Sequence, residues 1–213
     1  MVLYFSSNVV SPPYIIYMGN DKYENEELIK YAWPEDVWFH VDNESSAHVY
    51  LRLKTGETLD DIPSSVLDDC AQLVKANSIK GNKMSNLSIV YTFSSNLKKT
   101  DSMEVGQVGF HDPKMIRSLV VPKRINEIVN RLNKTKIIKT DVDFRKAREE
   151  RDKKELIKQK EIKREIKLKE KEEAKKKEEA AKLRSYDYVM KTENMKTNEV
   201  KQIQYSRIIF INK

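Results

Sequence analysis

One cysteine, five glycines, six prolines and three histidines in 213 residues leave little room for several kinds of protein. A single thiol excludes a disulfide scaffold and a cysteine-based zinc module, and fits a reducing compartment. Five glycines exclude a collagenous chain and leave little material for phosphate-cradling loops. Neither GxxxxGK[ST], GxGxxG nor GxSxG occurs. No apolar run approaches the ~20 residues that cross a bilayer, and MVLYFSSNVV at the start lacks the basic segment of a secretory signal. The expectation is a soluble, cytoplasmic or nuclear protein.

Charge is abundant: 34% of residues are Asp, Glu, Lys or Arg, and the formal net charge is +7. It is unevenly placed. Residues 1–74 sum to −9, residues 75–140 to +9, and the whole excess lies beyond residue 140. Both tryptophans, all three histidines, the cysteine and most aromatic residues precede residue 138, a stretch of ordinary domain size. The sequence therefore predicts a domain over 1–138, a Lys/Glu-rich helix over 141–184 and a flexible tail over 185–213.

Val2–Phe5 and Tyr14–Tyr17 read as strands around a Ser11-Pro12-Pro13 turn, and Glu24–Tyr31 as a short helix stopped before Pro34. Val37–Val41 and Ala47–Leu53 form the clearest hairpin. Val66, Cys70, Leu73, Val74 and Asn77 recur at helical spacing between Pro63 and Gly81. Leu87–Phe93, Val105–Phe110 and Ile116–Val121 are further strand candidates, and Ile125, Ile128, Val129 and Leu132 mark a second amphipathic helix. This order suggests an α+β fold with a mostly antiparallel sheet. In 141–184, six Glu-to-Lys pairs at i,i+4 each add ~0.2–0.5 kcal/mol to a solvated helix. Its apolar residues are too irregular for sustained heptads, so the charged helix stands ahead of a coiled-coil dimer. The apolar end Ile208–Ile211 has no assigned role.

Side chains alternate across a strand, which sorts the hairpin into two faces. Val37, Phe39, Val41, Ala47, Val49, Leu51 and Leu53 make one wholly apolar face, expected on the core. The other carries Trp38, His40, His48, Tyr50 and Arg52, with Trp38 opposite Tyr50. Such a face suits single-stranded nucleic acid, because bases stack on aromatic and guanidinium planes while nearby cations meet phosphates. His48, with Lys75, Lys83, Lys98 and Lys99 from the positive half, supplies the expected phosphate contacts. Other readings remain open. Trp38 could be a core residue beneath a helix, the lysines an ordinary solvated surface, and the whole an interaction adaptor that binds proteins through its charged helix. His40 and His48 could hold a metal with Asp42, Cys70 or His111, although no metal-binding spacing supports it. Cys70 on an apolar stripe reads as a core thiol. No cofactor and no enzymatic activity are expected.

The same hairpin, Asp36-Val37-Trp38-Phe39-His40-Val41 and Ser46-Ala47-His48-Val49-Tyr50-Leu51-Arg52, with the helix from Pro63, Val90-Tyr91-Thr92, Lys98-Lys99 and Gly106-Gln107-Val108, resembles the NFACT-R domain. Tyr17-Met18-Gly19, Trp33-Pro34-Glu35-Asp36, Leu73-Val74-Lys75-Ala76-Asn77-Ser78-Ile79 and Ser95-Asn96-Leu97-Lys98-Lys99-Thr100 extend the resemblance to the shorter eukaryotic coiled-coil domain-containing protein 25 group. It implies an NFACT-R fold with a charged helical tail, a nucleic-acid partner, RNA or DNA, and a link to ribosome quality control. It does not imply peptidyl-tRNA chemistry, because the N-terminal domain of the larger NFACT proteins is missing. Sensing of extracellular DNA at the cell surface, attributed to animal members of the group, would require a membrane association for which this sequence shows no spanning segment.

Overall fold

The computed structural model describes residues 1–185 with 190 and 191, so Ile208–Ile211 and most of the 185–213 tail lie outside the described residues. Strands β1 (Val2–Ser7), β2 (Tyr14–Gly19), β3 (Asp36–Val41), β4 (Val49–Arg52), β5 (Leu87–Phe93), β8 (Arg117–Val121) and β9 (Ile137–Lys139) form one sheet in the order β8-β5-β3-β4-β2-β1-β9. Every pairing in it is antiparallel. Between them run the helices α1 (Lys22–Tyr31), α2 (Ser64–Ala76) and α3 (Asn126–Lys134), and the two-stranded ribbon of β6 (Leu97–Lys98) and β7 (Gly109–Phe110). The fold is α+β, as the strand and helix signals indicate.

The apolar face of the β3–β4 hairpin lies where alternation puts it. Val37, Phe39, Val41, Val49, Leu51 and Leu53 pack with Val66, Cys70, Leu73 and Val74 of α2 and Leu132 of α3, and Ala47 lies half-buried at the margin. Cys70 is fully buried there. Residues four and three apart share one side of a helix, so the 66-70-73-74 spacing delivers a single stripe to the sheet.

The opposite face departs from expectation. It is not an open platform but a second core, in which Val2, Tyr17, Trp38 and Tyr50 are joined by Leu28 of α1 and Leu97 of β6. Val108, Phe110, Val142 and Phe144 close its margin. Magnitude decides the matter. Each buried aromatic side chain withdraws ~150–250 Å² from water, about 4–6 kcal/mol at ~25 cal/mol per Å², whereas a stacked base returns ~1–3 kcal/mol. The covered state is the stable one.

Two local differences have plain causes. Of the expected Val105–Phe110 strand only Gly109–Phe110 forms, because Gly106 sits at φ 86° and the Gln107 N–H closes a turn on the Glu104 carbonyl. Strand β9, unforeseen, is three exposed residues without alternation, paired with β1 in an antiparallel ladder.

Two compact units divide at Asp152, beyond the composition change near residue 140. The long helix α4 (Phe144–Arg184) begins inside the first, where Arg148 donates to the Ala32 carbonyl and Arg151 pairs with Glu35. From Lys153 the helix has no buried residue, and Leu156, Ile157, Ile162, Ile166 and Leu168 are exposed on it. None of the described helices is long and apolar enough to cross a membrane.

Candidate nucleic-acid interface

β3 and β4 bring Trp38 opposite Tyr50, the register alternation predicts. The Trp38 Nε1–H donates to His48 Nδ1 at 3.0 Å, and the indole lies parallel to the His40 ring at 5.3 Å between centroids. His40 and His48 stand edge to face at 4.9 Å. Burial, reinforced by the neighbouring His40, pushes His48 down to about 3, and burial lowers His40 as well despite its backbone hydrogen bonds. Both imidazoles are therefore neutral at physiological pH, so His48 cannot meet a phosphate as a cation. Tyr50 is fully buried under α1 and stacks on Tyr17 at 5.1 Å, which removes it from any ligand.

Arg52 is also committed internally. Its Nε and Nη2 donate to the buried carboxylate of Asp36 at 2.9 and 3.2 Å, and its guanidinium lies 3.6 Å from the Trp33 ring centroid. Of the five residues of that face, Trp38, His48 and Tyr50 are buried, while His40 and Arg52 keep partial exposure.

Of the expected phosphate contacts, the four lysines divide into two pairs. Lys75 is buried at 1% exposure, with Nζ donating to the carbonyls of Gly81 and Met84, and burial lowers its pKa. Lys99 is spent on Glu26 at 2.6 Å and on the carbonyls of Glu104 and Gln107. These two cannot serve, because their ammonium groups already hold protein acceptors. Lys83 and Lys98 are exposed, and neither has an ion-pair partner among the described residues.

Lys83 has company that its sequence position does not announce. β5 pairs with β8 from Leu87 opposite Val121, and the Asn86 N–H donates to the Pro122 carbonyl at 3.0 Å. This seam sets the turn Gly81–Lys83 beside Lys123 and Arg124, and Arg124 Nη1 reaches Asn82 Oδ1 at 2.9 Å. Lys83, Lys123 and Arg124 are all exposed without a carboxylate partner among the described residues, whereas Lys80, Arg117 and Arg131 answer Glu44, Asp60 and Asp69. Three unneutralised cations thus sit at one end of the sheet. Lys123 and Arg124 were legible as charges, but only the β5–β8 pairing brings them to Lys83. Among the described residues no group of three or more His, Cys, Asp or Glu is placed to hold a metal.

Residues 1–112 match the family described as the NFACT protein RNA binding domain. The chain is 63% identical over 199 residues to coiled-coil domain-containing protein 25 of Danio rerio, covering 93% of this chain and 96% of that one. It is 56% identical to the Dictyostelium discoideum homolog over 93% and 95%. Protein JLP2 of Saccharomyces cerevisiae matches at 46% identity over 64% of this chain and 68% of that one.

Proposed function

The chain belongs to the NFACT-R family, the NFACT protein RNA-binding domains, and from that premise we propose that it is a non-enzymatic nucleic-acid-binding protein whose phosphate contacts are Lys83, Lys123 and Arg124. The observation that carries this reading is that these three cations converge at one sheet end with no carboxylate among the described residues to neutralise them. RNA is the first ligand to test, in view of the family, with ribosomal RNA included; DNA is the second. A cytoplasmic location accords with an RNA partner. The non-enzymatic part is supported by Cys70, whose thiol burial and Asp69 push well above its ordinary range, the reverse of an activated nucleophile.

Each phosphate neutralised releases condensed counterions, so log K against log salt has a slope of about −0.7 per contact on a single strand. In the full chain, Lys83→Glu/Lys123→Glu/Arg124→Glu should weaken oligonucleotide binding at low salt and flatten that slope by about 2. A variant that binds with the parent's affinity and slope would remove this surface from the interface.

A further inference from the structure

Resting on that reading, we propose that the cleft between the Trp38–His40 ladder and the Gly106–Phe110 segment receives one unpaired nucleobase. The space is about 260 Å³. That lies below the ~300–1,000 Å³ of pockets for drug-sized ligands and suits one flat heterocycle. Phe110 stands edge-on to Trp38 at 5.8 Å, the His40 ring lies parallel to the same indole, and Val90, paired with His40 on β5, completes the lining.

Polar groups converge on the same cleft with their roles already fixed. His40 Nδ1 lies 2.7 Å from the Val41 carbonyl, an arrangement that places the proton of the neutral ring on Nδ1 and leaves Nε2 as an acceptor. The Gln107 Oε1 accepts from the Glu104 N–H at 3.1 Å, which orients the amide and leaves its NH₂ as a donor with no partner among the described residues. One acceptor and one donor complement the edge of a base, where an amine or imino N–H adjoins a ring nitrogen or carbonyl. Among the described residues the cleft has no free cation: both histidines are neutral, Lys99 is spent on Glu26, and Asp42 is the charged residue of the lining. A phosphate or carboxylate would be repelled there, whereas an uncharged ring would not.

Position links the cleft to the cations. Its Asp42–Asn43 corner follows β3 and is joined to β5 by the Asp42 N–H to Ser88 carbonyl bond at 3.0 Å. The Asn86–Pro122 bond then joins the start of β5 to the end of β8. A nucleotide with its base in the cleft thus has Lys83 and Lys123 at the same end of the sheet for its phosphates.

The test compares single-stranded homopolymers with a duplex of equal length, using the full chain. Val90→Trp, which fills the cleft, should weaken single-strand binding about tenfold and leave duplex binding unchanged. Gln107→Ala should alter the order of preference among the four homopolymers. In the parent, each nucleoside monophosphate that binds should shift the backbone amides of Val90, Gln107 and Val108. Oligonucleotide binding insensitive to both substitutions, with those amides unmoved, overturns the pocket and leaves the phosphate surface standing. Absence of any oligonucleotide binding by the parent at low salt overturns the phosphate surface, and the pocket with it. Should Val90→Trp fail to fold, the Gln107→Ala preferences and the amide shifts decide the question.

Discussion

The indole N–H of Trp38 donates to Nδ1 of His48 across 3.0 Å, inside a core that leaves the two side chains 2% and 4% exposed. A buried indole needs an acceptor, and an imidazole can be one only while that nitrogen is unprotonated. The bond therefore fixes the His48 proton on Nε2 and ties the middle of β3 to the residue preceding β4. It also makes the neutral state of His48 part of the fold.

Stability should accordingly fall with acid. His48 titrates at about 3 when folded, below its ordinary 6.5, so beneath pH 6.5 the unfolded chain takes up a proton the folded chain refuses. The contribution is complete above pH 6.5 and is lost as pH falls toward 3, at about 1.4 kcal/mol per unit. His40, shifted the same way, adds to it. Between pH 7.5 and 5, before most carboxylates titrate, the loss from His48 should be about 2 kcal/mol. Urea unfolding measures it, and His48→Gln, whose amide oxygen can still accept from Trp38, should flatten the profile by that amount. A parent whose stability is level across this range would contradict a neutral, buried His48.

Lys75 and Lys83, equally plausible as phosphate contacts in the sequence, should behave oppositely on substitution. Lys75→Met keeps the aliphatic stem but strips a donor from the Gly81 and Met84 carbonyls, at about 1–3 kcal/mol. Lys83→Met touches nothing in the fold and should stay within about 0.5 kcal/mol of the parent. Thermal unfolding and oligonucleotide affinity, measured on both, should move in separate variants: stability in the first, binding in the second. Equal binding losses at equal stability would place Lys75 back at the interface.

Lys99 holds the 104–107 loop to α1 through Glu26, whose Oε1 also accepts from the Gly106 N–H at 2.5 Å. Burial opposes ionisation of this carboxyl, yet Lys99 and the Gly106 N–H hold it below its ordinary range. The pair is partly exposed, so Lys99→Met should cost at most about 1 kcal/mol globally. Locally it should matter more. Amide hydrogen exchange at Gly106 and Gln107 should quicken about tenfold or more, since local opening responds to local contacts. Unchanged exchange at those two amides would show that the loop is held by other means.

The β3–β4 hairpin was readable because alternation has period two and its connection is short; this gave both faces and the Trp38–Tyr50 register. α2 was readable from one apolar stripe. What covers the second face was not. α1 is largely charged, and the β6–β7 ribbon is two strands of two residues each, joined through a turn at Gly106, too short for any period to show. The fate of Lys75 depends on the Gly81–Lys83 turn folding back over the end of α2, and the cation cluster depends on strand pairing between segments about thirty residues apart. Composition fixes how many charges there are, while pairing decides which of them remain free.

Arg52 gives the sharpest separation between a residue that binds a ligand and one that holds the fold. Asp36 is fully buried and accepts from Arg52 Nε and Nη2, from the Tyr17 hydroxyl at 2.6 Å and from the Trp33 N–H at 2.6 Å. Arg52→Ala leaves that carboxylate without its cation in a low-dielectric site, a loss of about 3–5 kcal/mol. Arg52→Lys restores a positive charge but neither the two-nitrogen fork nor the flat stack on Trp33, so it should recover only part of the loss. Oligonucleotide affinity per folded molecule should be unchanged in both, because the guanidinium faces Asp36 and Trp33. Unfolding midpoints with active-fraction titration test this. A stable Arg52→Ala protein with binding weakened tenfold would return Arg52 to the interface, and would require the second core to open when nucleic acid binds.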